Sequence, residues 1–446
     1  MSKRIVKPRI PSGVMELLPG QLAAFKRMLD TIESCFESFG FSPLDTSLME
    51  LSKVLLTKSG GETEKQVYFV QSSGALERGY EPDMALRFDL TVPLARYVAQ
   101  HERNLPFPFR RYHIDKVFRG ESAQAGRYRE FYQCDIDIVG RQRLSLGADA
   151  EMPAVISALF RQLNFGSFTI RISNRKLLQG ILHYYAVEGE KRLELLRLVD
   201  KMDKVGKAGV LDEISSPELS SILDDFLSIE GSVDEVLRGL DGLAIENETF
   251  IAGKEELRVV CESLQERSVS EQDYCIDTSI ARGLDYYTGT VYETFLDGYE
   301  KLGSVCSGGR YDNLAACFSK EELPGVGISI GATRLFYQLE AAGLLGKERA
   351  STEAMLAKLD SNLQRERFEL SGELRRGGIN NFVWTEGSKF KKQMSYANKA
   401  SIPFVLFLGE DEYAAEEVSV KCMESGEQKR LARAKLLPFL KEQLAK

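Results

Sequence analysis

A chain of 446 residues, 43% hydrophobic and 28% charged, is too long for one compact core and apolar enough to fill two or three. Its formal net charge of −8 argues against a purely electrostatic hold on nucleic acid, and no apolar run approaches the roughly 18 to 20 residues of a membrane span. Seven scattered cysteines without a CxxC pair, and three histidines (His101, His113, His183) without HExxH-type spacing, argue against a structural zinc site and for a reducing compartment.

The basic start MSKRIVKPRIPSG has no apolar core behind it, so a cytoplasmic protein is expected. Gln21 to Gly40 repeats apolar positions at helical spacing and ends on glycine, a helix with its stop signal. FSPLDTSLME, QVYFVQ and MALRFDL read as short strands, TVPLARYVAQ as a helix and FRRYHIDKVFR as a strand. Helices set among strands on short turns predict an α+β fold with a mainly antiparallel sheet. Phe131 to Ile138 alternates with period two: Phe131, Gln133, Asp135 and Asp137 share one face, and Tyr132, Cys134, Ile136 and Ile138 the other.

Ala148 to Phe165 reads as a long helix and Ser167 to Ile172 as a strand. Residues 176–268 form an almost continuously helical, charged insertion, and strand-and-glycine character resumes over 269–345. After the polar linker Gly346 to Glu353, residues 351–446 alternate strand, helix, strand, helix, strand, strand, the pattern of a small α/β domain. Residues 1–175 and 269–345 are therefore expected to form one domain interrupted by the insertion.

Four constellations carry chemistry. FRGESAQAGRYREFYQCDIDI surrounds a glycine-containing loop with Arg119, Arg127 and Arg129 and returns through the acidic face; LRFDLTVPLAR sets Asp89 and Thr91 before a helix. ARGLDYYTGTVYE brings Arg282, Asp285, Tyr286 and Tyr287 together, and GVGISIGATRLF runs a glycine-spaced strand into a helix with Arg334 in its first turn. Each has a plain structural reading: Asp89 as a helix cap, the glycines as strand-end bulges, each arginine as a solvated side chain. Together, three arginine-bearing segments, close-approach glycines and several carboxylates suit an anionic nucleotide bound beside a cationic ligand.

These blocks resemble the histidyl-tRNA synthetases, a family of class II aminoacyl-tRNA synthetases. FRGESAQAGRYREFYQCDIDIVG resembles the class's second motif and GVGISIGATRLF its third, while ARGLDYYTGTVYE and GGRYDNL match the two signature blocks of the histidine enzymes. The resemblance runs from about Pro11 to the C-terminus. It implies ATP-dependent ligation of histidine to its tRNA through an adenylate, with ATP and Mg²⁺, in a cytoplasmic homodimer. By position it puts Arg119 and Arg282 on the α-phosphate, Arg334 on the far phosphates, Arg127 on the phosphates or the tRNA end, and Glu121 near the adenine. Asp89, Thr91 and Gln133 then bind the α-amino group, and Asp137, Tyr287 and Tyr311 the imidazole. The tail resembles an anticodon-binding domain, and the insertion would lean on the acceptor arm. Three departures stand out: Ser47 where the first motif has proline, Thr333 where an acid is common, and a first tail strand, AMLAKLD, of low apolarity. Asp135 has no role in this reading. The alternative is a non-catalytic paralogue, a regulatory subunit of an ATP phosphoribosyltransferase or a sensor of uncharged tRNA.

Overall fold

The computed structural model describes residues 6–57, 66–122, 126–280, 283, 286–299, 303–345, 350–359 and 362–444. Arg282 and Asp285 lie outside the described residues, as does part of the Gly346 to Glu353 linker. The chain divides into two compact units, Met1–Met15 with Leu29–Leu344, and Glu16–Met28 with Leu345–Lys446.

The first unit contains strands β1 (Ser42–Pro43), β2 (Met49–Leu51), β3 (Tyr68–Val70), β4 (Met84–Leu86), β5 (Phe109–Phe118), β6 (Glu130–Val139), β7 (Phe168–Asn174), β8 (Tyr274–Ile276), β9 (Thr290–Leu296), β10 (Cys306–Tyr311) and β11 (Gly325–Ile330). Eight of them form one sheet in the order β1-β5-β6-β11-β10-β9-β7-β8. The two outermost pairings, β1/β5 and β7/β8, are parallel, and the others are antiparallel. FSPLDTSLME is less regular than its alternation predicts. Pro43 lacks an N–H and sits in a two-residue edge strand, and Ser47 falls in the loop before β2.

The period-two pattern of β6 decides the sheet's two faces. Cys134, Ile136 and Ile138, with Ile328 and Ile330 of β11, are at most 3% exposed. The helix Gly147–Leu163 packs against β11 on that side, its own Met152, Val155, Ile156 and Leu159 fully buried. Burying these side chains stabilises the unit by roughly 1.5–3 kcal/mol each. The opposite face carries the polar row of β6. The insertion is helical as expected, from Arg175–Tyr184 to Glu248–Glu266, with a capping box at Ser232 and Glu235 and an Asn247 cap.

The second unit holds β12 (Ala354–Leu356), β13 (Asn381–Val383), β14 (Phe404–Phe407), β15 (Glu417–Cys422) and β16 (Gln428–Ala432), in the order β13-β12-β14-β15-β16. β12 is fully buried between β13 and β14: its three residues are all apolar, and Lys358 of AMLAKLD falls beyond the strand's end. The sequence reading missed the short helix Glu410–Ala414 and two elements at the end of the chain. β16 is an exposed polar edge strand with no alternation, and the helix Arg433–Leu444 contains Pro438, which reads as a breaker.

Candidate active site

A cavity of about 520 Å³ opens on the polar face of the large sheet, within the range of small-ligand sites. Arg119, Glu121, Arg127 and Arg334 line it, as do Asp89, Thr91, Gln133 and Tyr287. Two separated segments, the β5–β6 connection and the helix after β11, therefore deliver arginines to one space. Arg119 is held by its Nε donating to the Phe88 carbonyl at 3.0 Å, with its guanidinium 5.2 Å from the Phe131 ring centroid. Glu121 and Arg127 lie 3.8 Å apart, both accessible enough to turn toward a ligand.

Asp89 has both of the roles open to it. It lines the cavity and its Oδ1 accepts from the Val92 amide at 3.1 Å, capping the helix Thr91–His101. Burial pushes its carboxyl above the usual range, against the pull of the capping amides and Arg119.

On β6, strand register sets what stands beside each acid. Asp137 faces Arg111 of β5 on one side and Gly327 of β11 on the other, and Gly327 in turn pairs with Gly309 of β10. Asp135, one step along the same face, stands between His113 and Ser329. Asp137 and Tyr311 are not on the cavity wall but behind it. Asp137 Oδ2 is 2.5 Å from Arg111 Nη2, and its Oδ1 accepts from the Tyr311 hydroxyl at 2.5 Å. Burial lifts the Asp137 carboxyl to about 6 although Arg111 and Tyr311 lower it. Asp135 rises to about 7, from burial and from the neighbouring Asp137 and Asp89 carboxylates, against the pull of Arg111 and the Ser329 hydroxyl.

Glycines shape this corner by close approach. A Cβ on Gly327 would lie 2.2 Å from Asp137 Oδ1, and one on Gly309 would lie 2.9 Å from the Tyr287 ring. Gly283, at φ 71°, seats the same ring from its other side. The Tyr287 ring is thus packed against both glycines, 5.3 Å from Tyr286 between ring centroids.

Two features were not read from the sequence. Arg111 is fully buried and supplies the cation for Asp137, yet in FRRYHIDKVFR nothing marks it against Arg110 beside it. Ser329 accepts from Gln133 Nε2 at 2.6 Å, bridging β6 and β11. The Thr333 departure has a structural account: its hydroxyl accepts from the Tyr132 amide at 2.8 Å, tying the helix Ala332–Ala341 to β6. The second signature block divides in the same way. Tyr311 reaches Asp137, whereas Arg310 is a fold-holding residue, paired with buried Asp149 at 2.5 Å and donating to the Leu144 and Ser145 carbonyls.

The family model described as histidyl-tRNA synthetase matches residues 13–335, and the one described as anticodon binding domain matches residues 353–443. The chain is 50% identical over 459 residues to a histidine–tRNA ligase of Stenotrophomonas maltophilia, covering 99% of both. It is 48% identical to that of Clostridium tetani, over 99% of this chain and all of the relative. A crystal structure of histidyl-tRNA synthetase from Nostoc sp. PCC 7120 superposes with a TM-score of 0.90 at 40% identity, over 98% of this chain and 100% of that one.

Proposed function

The chain belongs to the histidyl-tRNA synthetase family and is an ATP-using histidine–tRNA ligase, and from that premise we propose how its residues divide the work. The observation that supports the division is the meeting of three arginines with a buried acidic face in one cavity. Nothing in the comparisons favours the regulatory alternative.

Histidine's carboxylate is ionised near neutral pH, so it attacks the α-phosphorus of ATP without a general base from the protein. The protein's task is positioning and charge stabilisation. Arg119, held by Phe88 and Phe131, takes the α-phosphate from one side and Arg282 from the other. Arg334 takes the far phosphates, Arg127 the phosphates or the incoming tRNA end, and Glu121 the adenine side. Asp89, Thr91 and Gln133 receive the α-amino group, with Tyr287 walling the imidazole end and Asp137 and Tyr311 beneath it. Pyrophosphate leaves, and the terminal ribose hydroxyl of the tRNA attacks the resulting anhydride.

Mg²⁺ belongs to this reading as an ion carried in on the nucleotide. Among the described residues lining the cavity, Glu121 is the carboxylate beside a phosphate-binding arginine, and the Thr333 hydroxyl, off the cavity wall, accepts from a backbone amide. Such a donor set suits an ion held mainly by phosphates and water, which would neutralise charge on the leaving pyrophosphate.

The enzyme acts as a cytoplasmic homodimer in this proposal; among the described residues no helix is long and apolar enough to cross a membrane. Support for the dimer is an uncovered apolar face on the sheet β2-β4-β3, where Met49, Leu51 and Met84 are 38–48% exposed. The helical insertion leans on the acceptor arm, and residues 353–443 read the anticodon. The decisive assay is histidine-dependent exchange between pyrophosphate and ATP. Arg119→Ala is expected to reduce exchange at least 100-fold with the melting profile unchanged; near-normal exchange would remove Arg119 from the mechanism.

A further inference from the structure

We propose that Asp45, His113 and Asp115 form a binding site for a borderline divalent metal ion, with Zn²⁺ the expected occupant, that fastens the loop between β1 and β2 to β5. The site is separate from the nucleotide and amino-acid cavity: none of the three is among the described residues that line it.

The first observation is a buried imidazole with nothing to bond. His113 is 2% exposed, and neither its Nδ1 nor its Nε2 has a hydrogen-bond partner. Buried polar atoms in folded proteins are satisfied with few exceptions, so an orphaned ring calls for a ligand. Its charge state suits a metal. Burial, then Arg111 and Arg87, hold it down to about 3, so the ring is neutral at pH 7 and offers a nitrogen lone pair.

Two carboxylates stand at that ring. One ligand atom from each of Asp45, His113 and Asp115 lies within 4.8 Å of the other two. His113 Nε2 and Asp45 Oδ1 are 3.6 Å apart, too far for a hydrogen bond. Around a tetrahedral zinc ion, bonds of roughly 2.0–2.2 Å set the ligand atoms roughly 3.4 Å from one another, close to this spacing. The Asp45 side chain is 88% exposed, so a small turn closes the geometry and solvent gives the ion its way in.

The surrounding charges leave room for a cation. Arg87, just after β4, is paired with Asp115 Oδ2 at 2.6 Å, and Arg111 with Asp137 at 2.5 Å, so the Asp45 carboxylate is the charge that remains. Asp115 Oδ1 accepts from the Lys116 amide at 2.7 Å, and each of its oxygens keeps a second lone pair for a metal. An imidazole nitrogen with two carboxylates favours Zn²⁺ over Mg²⁺ or Ca²⁺, which prefer oxygen alone. Arg87 Nη1 already donates to the Thr46 carbonyl at 2.6 Å, so the ion would be a second clamp on the same loop. Local spacing cannot announce such a site, because its ligands come from a loop and a strand far apart in the chain.

The test uses the full chain, stripped with a chelator that is then removed. Calorimetric titration with Zn²⁺ should show one saturable site per chain, and Zn²⁺ at about 100 times Kd should raise the melting temperature by a few degrees. Co²⁺ should give the visible absorption of a tetrahedral ion without a thiolate charge-transfer band. Asp45→Asn, at an exposed position, should weaken Zn²⁺ binding at least about 10-fold while the metal-free melting temperature and histidine-dependent pyrophosphate exchange stay as in the parent. His113→Gln should abolish the Co²⁺ spectrum. No saturable binding by the parent, a thiolate band with Co²⁺, or an Asp45→Asn affinity within about twofold of the parent would each overturn the proposal. None of these three outcomes depends on whether His113→Gln folds.

Discussion

Arg111→Met removes the interior cation beside Asp137 while keeping most of the side-chain volume. Breaking a buried ion pair by deleting one partner destabilises proteins by about 3–5 kcal/mol, because the remaining charge is left without compensation. Here the carboxyl has an escape. It sits at about 6 with Arg111 present, and Arg111 is the largest influence holding it that low. Without the guanidinium it keeps its proton, so the extra penalty is bounded by the free energy of holding that proton, about 1.4 kcal/mol for each pH step above about 6. The sign follows from linkage. A carboxyl whose folded value lies above its unfolded value is no burden at low pH and increasingly destabilises the fold as pH rises.

The variant should therefore lose little at pH 6 beyond the packing change. It should lose about 1 kcal/mol more at pH 7 and about 4 kcal/mol by pH 9. Thermal melts of parent and variant across that range should diverge as pH rises, by a few degrees for each kcal/mol. The histidine KM should rise alongside, since a neutral Asp137 no longer offers its charge to the site. A destabilisation equal at pH 6 and pH 9 would refute the reasoning and reduce Arg111 to a packing residue.

Three further outcomes follow from the same structure. Gly327→Ala places a methyl against Asp137 Oδ1 and the Ile136 carbonyl, and is expected to lower stability by about 1–3 kcal/mol and raise the histidine KM; parent-like values in melts and kinetics would mean the row opens freely. Asp149→Asn leaves buried Arg310 with only the more exposed Asp312 carboxylate at 3.6 Å and should cost about 2–4 kcal/mol in denaturation while both substrates' KM stay within about threefold, which separates this pair from the site. His113 is held down to about 3 by burial, then by Arg111 and Arg87, so the unfolded chain takes up the proton first as pH falls below about 6.5. The parent should lose about 2 kcal/mol from this group between pH 7 and pH 5, and His113→Gln should show a correspondingly shallower acid slope in melts.

Much of the site was legible because its residues sit in runs whose local pattern fixes their direction. Alternation in 131–138 gave the acidic face before any partner strand was known, and the glycine-spaced run before Arg334 marked a strand that something approaches closely. Arg111 was not legible for a matching reason. Two arginines stand together in FRRYHIDKVFR, and strand parity decides that Arg111 faces the acids while Arg110 turns to Glu151 and the Phe39 carbonyl. That parity depends on the β5/β6 register, and β5 and β6 are joined by residues 119–129, too long a connection for a tight-turn rule to fix it. The edge strand β16 and the Pro438 helix were missed for the converse reason: their local signals point away from the structure that packing imposes.

The register also explains why two aspartates in one short run have different natures. Both are buried by the same sheet face, and both are pushed upward by that burial. Asp137 meets a cation on one oxygen and a phenol on the other, with a glycine packed close beside it. Asp135 meets only a serine hydroxyl within its own face, and the Asp137 and Asp89 charges make its ionisation harder still. Arg111 lowers both carboxyls of β6, so one interior guanidinium offsets two buried acids, with Arg119 lowering Asp89. A ligand carrying an ammonium and a ring donor supplies what that face lacks. The carboxyls of that face are already desolvated and held in place in the free protein, so a cationic ligand that meets them needs little further reorganisation.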